Sequence, residues 1–268
     1  MHNIWIVQTR FPLSVPFIVS LLLLFHVPAT EAGRAERINY RSAEFIVYWV
    51  DLASDELSLY WRDSGGKALG SFARLREHLG SRGADLKFAI NAGIFSPDYE
   101  PLGLHVEESA VLRKLNLGDM EGGQLNFYMK PNGVFYVADR TPAIVESALF
   151  ARLDPHPRIA CQSGPLLVSR GKVHPSFRPR SGNLHWRSAV GVTKSNQVVF
   201  AISKAPICFH DFARFFQARL GCDNALYLDG DICAIYLPEF GYRGEDPKPR
   251  FAGMFAVTAR PKAAFESP

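Results

Sequence analysis

The sequence predicts an α+β fold: a single domain with a large mixed or antiparallel β-sheet and a few packed helices. Three observations carry this. Short β-rich runs recur between glycine, proline and asparagine, including EFIVYWV, LSLYW, LKFAI, QLNFYM, GVFYV, GPLLV, QVVFAI and FAGMFAV. Only two stretches show helical spacing, and they do not alternate with the strands as a doubly wound parallel sheet requires. Finally, 268 residues at 47% hydrophobic are enough to bury one full core.

The elements follow in chain order. Arg10 precedes FPLSVPFIVSLLLLFHVPA, an apolar run ending in small residues, which is the layout of a secretory signal with cleavage after Ala29 or Ala32. Its apolar stretch, 17 residues from Phe11 to Val27, holds two prolines and two serines. It is short against the roughly 20 residues of a membrane span, which leaves a retained anchor as the lesser alternative. The expected organisation is therefore a signal over 1–32 and a domain over 33–268, secreted or periplasmic, with no stable membrane span after cleavage.

In KALGSFARLREHLG, Leu69, Phe72, Leu75 and Leu79 mark a helix that stops near Gly80. MKPNGVFYVAD places a Pro-Asn-Gly turn between expected strands, a hairpin signal. HPSFRPRSGNLHW, from His174 to Trp186, and YRGEDPKPR, from Tyr242 to Arg250, read as long loops. Between them HDFARFFQARLG carries Phe212, Phe215, Phe216 and Leu220 at helical spacing, with Gly221 as C-cap.

The net charge of +4 is small and its basic residues are scattered, which argues against a nucleic-acid partner. Of the four cysteines, Cys208 and Cys222 flank the second helix and would stand roughly 18 Å apart, whereas a disulfide needs Cα atoms within about 7 Å. Buried thiols are the expectation for Cys161, Cys208, Cys222 and Cys233, and no spacing resembles a structural zinc site.

Polar residues interrupt the apolar strands at their ends. FAINAGIF stops at Asn91 and Gly93, IACQSGPLLV at Gln162 and Ser163, LHWRSAVGV opens on Arg187 and Ser188, and ALYLDGDICAIY carries Asp229 and Asp231 around Gly230. Any one can be a turn whose side chain bonds nearby backbone, but four such interruptions point to a shared polar cleft. No GxSxG elbow, P-loop or dinucleotide fingerprint is present. Carboxylates are thus the leading proton carriers: Asp229, Asp231, Glu107, Glu108 and Asp98. Paired carboxylates suit glycoside cleavage, and the planar fork of Arg187 suits a phosphate. Trp186, beside His185, is either a core residue or a platform for a sugar ring. His105, His174 and His185 each read more readily as structural than as catalytic.

At these residues the chain resembles the phosphodiester glycosidase family. The segments carrying the likeness are INAGIF, PLGLHVE, NFYMKPNGVFYV, QSGPLLV with KVHPSF, RSAVGV and FARFFQARLGCDNALYLDGDI, spread from Phe45 to Val257. The resemblance implies hydrolysis of a sugar joined through its anomeric oxygen to a phosphodiester, with a phosphorylated sugar or glycan as substrate. It assigns Asp229 as a catalytic carboxylate, with Glu107 the weaker candidate for a second acid/base. Arg187 would bind the phosphodiester, and Asn91, Gly93, His105, Gln162, Ser163, Gly230 and Asp231 would line the substrate site. Asp231, Ile232 and Cys233 depart from the family's glycine-rich, serine-containing continuation, and Cys161 replaces a small hydroxyl residue. No metal ligand set is assigned and no cofactor is required, although Asp229 and Asp231 leave a hard cation, Ca²⁺ or Mg²⁺, open. The competing readings are a non-catalytic envelope module that binds phosphorylated glycans and a phosphodiesterase that cuts the P–O bond.

Overall fold

Runs of β-branched and aromatic residues become strands where both faces can be covered. In the computed structural model, which describes residue 1 and residues 33–119, 126–230, 232–245, 248 and 250–259, such runs build three antiparallel sheets. The expected signal segment lies outside the described residues, and no described helix is long and apolar enough to cross a membrane.

The largest sheet has seven strands, ordered β1 (Arg34–Tyr40), β2 (Ala43–Val50), β13 (Val198–Ser203), β12 (Ser188–Thr193), β14 (Cys222–Asp229), β10 (Leu166–Ser169) and β11 (Lys172–Val173). A second runs β15 (Ile235–Tyr236), β4 (Leu86–Asn91), β16 (Met254–Ala259) and β3 (Asp55–Tyr60). The third runs β6 (Ala110–Arg113), β5 (His105–Glu107), β9 (Ile159–Ser163), β7 (Gly133–Ala138) and β8 (Thr141–Glu146). The α+β reading holds, with the sheet content divided among three sheets.

All three sheets send side chains into one core, where Tyr48, Phe88, Phe135, Phe200, Leu226 and Phe255 meet. Burying each such side chain stabilises the fold by roughly 1.5–3 kcal/mol. The outer face of the seven-stranded sheet is covered by α3 (Phe209–Arg214) and the turn after it, with Phe45 stacked on Phe215 at 3.8 Å between ring centroids. Helix α1 (Phe72–Gly80), capped by Ser71, lays Leu75 and Leu79 against Leu86 and Met254 of the four-stranded sheet.

Three local expectations differ from what forms. The second helix is α-helical only to Arg214 and continues as a π-turn over Phe215–Arg219 before Gly221, at φ +69°. Phe212, Phe215 and Phe216 are all buried on one sheet face, which three aromatic rings so close in sequence reach through the wider turn. Gly191 admits them, since a Cβ there would lie 2.8 Å from Phe216.

The Pro-Asn-Gly segment is not a hairpin. Asn126–Tyr128 form a 3₁₀ turn, and Asn132 is buried, its Nδ2 donating to the Phe127 carbonyl at 2.9 Å. The tight hairpin instead joins β7 and β8 at Asp139 and Arg140, both left-handed (φ 45° and 64°), the backbone that a two-residue type I′ turn requires. The short helix α2 (Ser147–Leu153) was not anticipated; seven residues with Phe150 as their one large buried side chain carry little periodicity.

Candidate functional site

Four strand ends from the three sheets meet at one place. β4 ends at Asn91, β9 at Ser163 and β14 at Asp229, while β12 begins at Ser188. Asn91 Nδ2 donates to Ser188 Oγ at 3.1 Å, and Ser188 Oγ donates to the Asp229 carbonyl at 3.3 Å. Ser163 Oγ donates to the Leu228 carbonyl at 3.2 Å and accepts from Ile94 N at 3.4 Å. Asn91 Oδ1 accepts from Ala234 N at 3.1 Å, which ties in the chain beyond Gly230.

Local register sets the presentation of Asp229. β12 and β14 pair Ala189 with Tyr227 but Ser188 with Asp229, so Leu228 and Asp229 together oppose one residue. This is a β-bulge, which breaks simple alternation and re-aims the side chain at a strand end. Asp229 is consequently opposite Ser188, the residue that Asn91 reaches. Its Oδ1 accepts from Gly230 N at 2.6 Å.

Two glycines are required by close approach. A Cβ on Gly93 would lie 2.6 Å from the Gln162 carbonyl and 3.0 Å from Cys161 Sγ, and one on Gly230 would lie 2.6 Å from Tyr227 Oη. Burial pushes the Tyr227 phenol well above its ordinary pKa, and the Asp229 charge adds to this while Arg187 opposes it. Tyr227 therefore stays a neutral hydroxyl behind the strand end.

The expected site residues divide by burial. Asp229 is partly exposed, whereas Asn91, Gln162, Ser163, Arg187 and Ser188 are all buried. Gln162 accepts from Leu104 N and Asn116 N and donates to the Asn116 carbonyl and Ser147 Oγ, which uses its full amide capacity. Asn91, Gln162 and Ser163, expected to contact substrate oxygens, are bonded to strand ends and loops.

Arg187 also differs from the exposed anion clamp expected of it. Its guanidinium is buried, with Nε donating to the Ile207 carbonyl at 2.7 Å and Nη2 to Asn183 Oδ1 at 2.8 Å. It lies 3.6 Å over the Phe209 ring. An arginine can be buried this way because its flat donors match carbonyl oxygens and its face matches an aromatic ring.

Glu107 ends β5 and is not among the four strand ends. It bonds to buried His105 Nε2 at 2.7 Å and opens onto a different hollow of about 800 Å³, bordered by Glu56, Tyr60 and Arg82 among others. None of the four strand-end residues lines that hollow. His105, expected at the substrate site, is buried and packs edge-on against Trp61.

Asp231 lies outside the described residues. Among the described residues, no three His, Cys, Asp or Glu side chains converge to hold a metal ion, and no disulfide forms. Cys161 sits behind the site, its Sγ accepting from Gly93 N at 3.3 Å, and burial pushes its thiol up to about 12. Ser188 is named at its strand entrance without a role, and Tyr227 is not among the expected site residues. The signals that could have found them are the adjacency of Ser188 to Arg187 and the i, i+2 spacing of Tyr227 to Asp229.

Comparison with known proteins adds four findings. A family model described as phosphodiester glycosidase matches residues 84–232, a range that contains all four strand ends. The uncharacterized protein YigE of Escherichia coli K12 is 33% identical over 219 residues, covering 82% of this chain and 83% of that protein. The solved catalytic domain of zebrafish N-acetylglucosamine-1-phosphodiester alpha-N-acetylglucosaminidase, auto-inhibited by its pro-peptide, superposes with a TM-score of 0.57 at 14% identity, covering 85% of this chain and 82% of that one. A hypothetical protein from Synechocystis superposes at 0.53, also at 14% identity, over 85% of this chain and 62% of its own. The two structural likenesses speak to the fold.

Proposed function

Because the chain belongs to the phosphodiester glycosidase family, we propose that it is a hydrolase that cleaves the glycosidic bond of a sugar-1-phosphodiester, and that the bond breaks beside Asp229. The single observation behind this reading is that three sheets converge on one partly exposed carboxylate, while the polar residues around it are buried and occupied in holding it. A group fixed in this way carries little reorganisation cost at the moment of reaction.

In the reaction, water attacks the anomeric carbon and the bond from that carbon to the phosphate oxygen breaks. The electron pair leaves with the phosphate, and the products are a free sugar and a phosphomonoester. Asp229 takes the proton from the attacking water. The departing phosphomonoester is a far better leaving group than an alkoxide, so no second carboxylate has to protonate it, and Glu107 borders a hollow that none of the four strand ends lines. Asn91, Ser163 and Ser188 are positioning residues, acting through the Asp229 and Leu228 carbonyls.

The signal-like N-terminus supports a reaction in the cell envelope or outside the cell. If a hard cation takes part, Asp229 would be among its ligands, with no step of the scheme depending on it. Incubation of purified protein with a panel of sugar-1-phosphodiesters in ¹⁸O water tests the reading. Label in the sugar marks glycosidic cleavage; label in the phosphate marks P–O cleavage and overturns it. Binding without any product would instead favour a non-catalytic module.

A further inference from the structure

A water-facing apolar pair sits beside the catalytic strand end. Leu184 and Trp186 are 54% and 49% exposed, while His185 and Arg187, which alternate with them, turn inward. The backbone beneath is rigidly held. His185 and Ile207 form a bridge, and Arg187 Nε donates to the Ile207 carbonyl at 2.7 Å. Arg187 Nη2 reaches back to both the Asn183 carbonyl and its Oδ1, and Arg187 N donates to Ser203 Oγ. This buried guanidinium thus braces a segment whose two large side chains lie in solvent.

The segment is continuous with the site. The Trp186 carbonyl is 3.5 Å from where a Cβ on Gly230 would lie, and two residues further on Ser188 pairs with Asp229. Scattered exposed apolar residues need no explanation, but two at alternate positions of a braced segment next to the Asp229 strand end call for one.

Resting on the glycosidase reading, we propose that Leu184 and Trp186 form a subsite for the alcohol portion of the phosphodiester, and that this alcohol is hydrophobic. Of the three parts of such a substrate, the sugar is polar and the phosphate charged, so only the alcohol gains by covering this surface. A sugar-stacking platform needs one flat aromatic face, whereas an exposed aliphatic Leu184 two residues from Trp186 adds apolar surface that a sugar's hydroxyls gain nothing by covering. An alkyl chain bound there holds the phosphodiester against the mouth without touching the reacting carbon. The preference should therefore appear mainly in KM.

The test compares methyl and n-octyl diesters of glucose 1-phosphate and of N-acetylglucosamine 1-phosphate, below the micellar concentration. The octyl diester should exceed its methyl counterpart by about tenfold or more in kcat/KM. Trp186→Ala should collapse that ratio toward one, and Trp186→Phe should retain most of it. Equal rates for the two diesters, or an octyl preference that survives Trp186→Ala, would overturn the proposal. So would a loss on Trp186→Ala that follows the sugar and not the alcohol. Should no diester be hydrolysed, the glycosidase reading fails separately, and calorimetry with non-cleavable methyl and octyl phosphonate analogues then decides. Tighter octyl binding that is lost in Trp186→Ala supports the subsite, and equal binding sinks it.

Discussion

Gly93→Ala isolates the physical demand that the strand-end cluster makes on the chain. Gly93 does not have a left-handed backbone, so an added methyl group acts by contact alone. Its Cβ would stand 2.6 Å from the Gln162 carbonyl, where ordinary contact begins near 3.4 Å, an encroachment of about 0.8 Å against backbone. A side chain could swing away, but a strand carbonyl moves only with β9. Overpacking of this kind costs about 1–3 kcal/mol, and at about 2–4 °C per kcal/mol for a chain of this size the melting temperature should fall by about 2–12 °C. Because Ser163, which is bonded to the Leu228 carbonyl, moves with β9, Asp229 is disturbed as well, and a misplacement approaching 1 Å is worth about a hundredfold in rate. Thermal unfolding and kcat/KM on a glycosyl phosphodiester read the two effects. Cys161→Ala in the same chain should not rescue either, since it relieves only the 3.0 Å contact with Sγ. A Gly93→Ala protein with unchanged melting and unchanged rate would refute the reasoning.

Asp229→Asn should remove turnover while leaving the melting temperature close to wild type, because a partly exposed amide keeps the shape of the carboxylate; residual activity above a few per cent would remove Asp229 from the catalytic role. Arg187→Met should lower stability by about 2–5 kcal/mol, as the Ile207 and Asn183 acceptors lose their buried donors, and denaturant unfolding measures it. Burial lowers the His174 pKa from its ordinary 6.5, partly offset by the Lys130 carbonyl, so the unfolded chain binds the proton first. Stability should then fall as pH drops through 6.5 toward the folded value, and His174→Gln should flatten that part of a melting-versus-pH curve. Burial pushes the Cys161 and Cys222 thiols up to about 12, so neither should react with a disulfide reagent near pH 8 until the protein unfolds; rapid native labelling of either by mass spectrometry contradicts the packing. Treatment with a chelator decides whether a divalent cation takes part, with unchanged kcat/KM excluding it.

What was legible in the sequence was period and punctuation. Runs such as AEFIVYWV and VVFAIS declare strands by composition, and both are buried on each face, as central strands are. The polar interruptions at Asn91, Ser163 and Asp229 marked where strands end, and those ends do meet. Sequence could not show which polar groups face solvent. Asn91, Gln162 and Arg187 have the composition of ligand-binding residues, yet each is buried and bonded within the fold, such as to Asn183 for Arg187 and Ala234 for Asn91. Nor could it show that β5 turns Glu107 toward a different hollow, because that depends on how one sheet docks against another. The π-turn after Arg214 and the bulge at Asp229 were hidden for a related reason, since both break the regular period by which a sequence is read.

That burial pattern separates two kinds of failure within one site. Asn91, Ser163 and Ser188 bond across three sheets, so removing any of them leaves a buried polar group without its partner, at about 1–3 kcal/mol, and loosens the Asp229 strand end at the same time. Stability and rate are therefore coupled at these positions. At Asp229 they should separate, because an amide of the same shape can still accept from Gly230 N, and the Ser188 bond uses the backbone carbonyl. If Ser188→Ala and Asn91→Ala lose rate in proportion to stability while Asp229→Asn loses rate alone, the polar cluster is a brace and Asp229 is the reacting group. If Asn91→Ala instead raises KM at unchanged stability, the amide reaches substrate, and the division between braces and reactive group has to be redrawn.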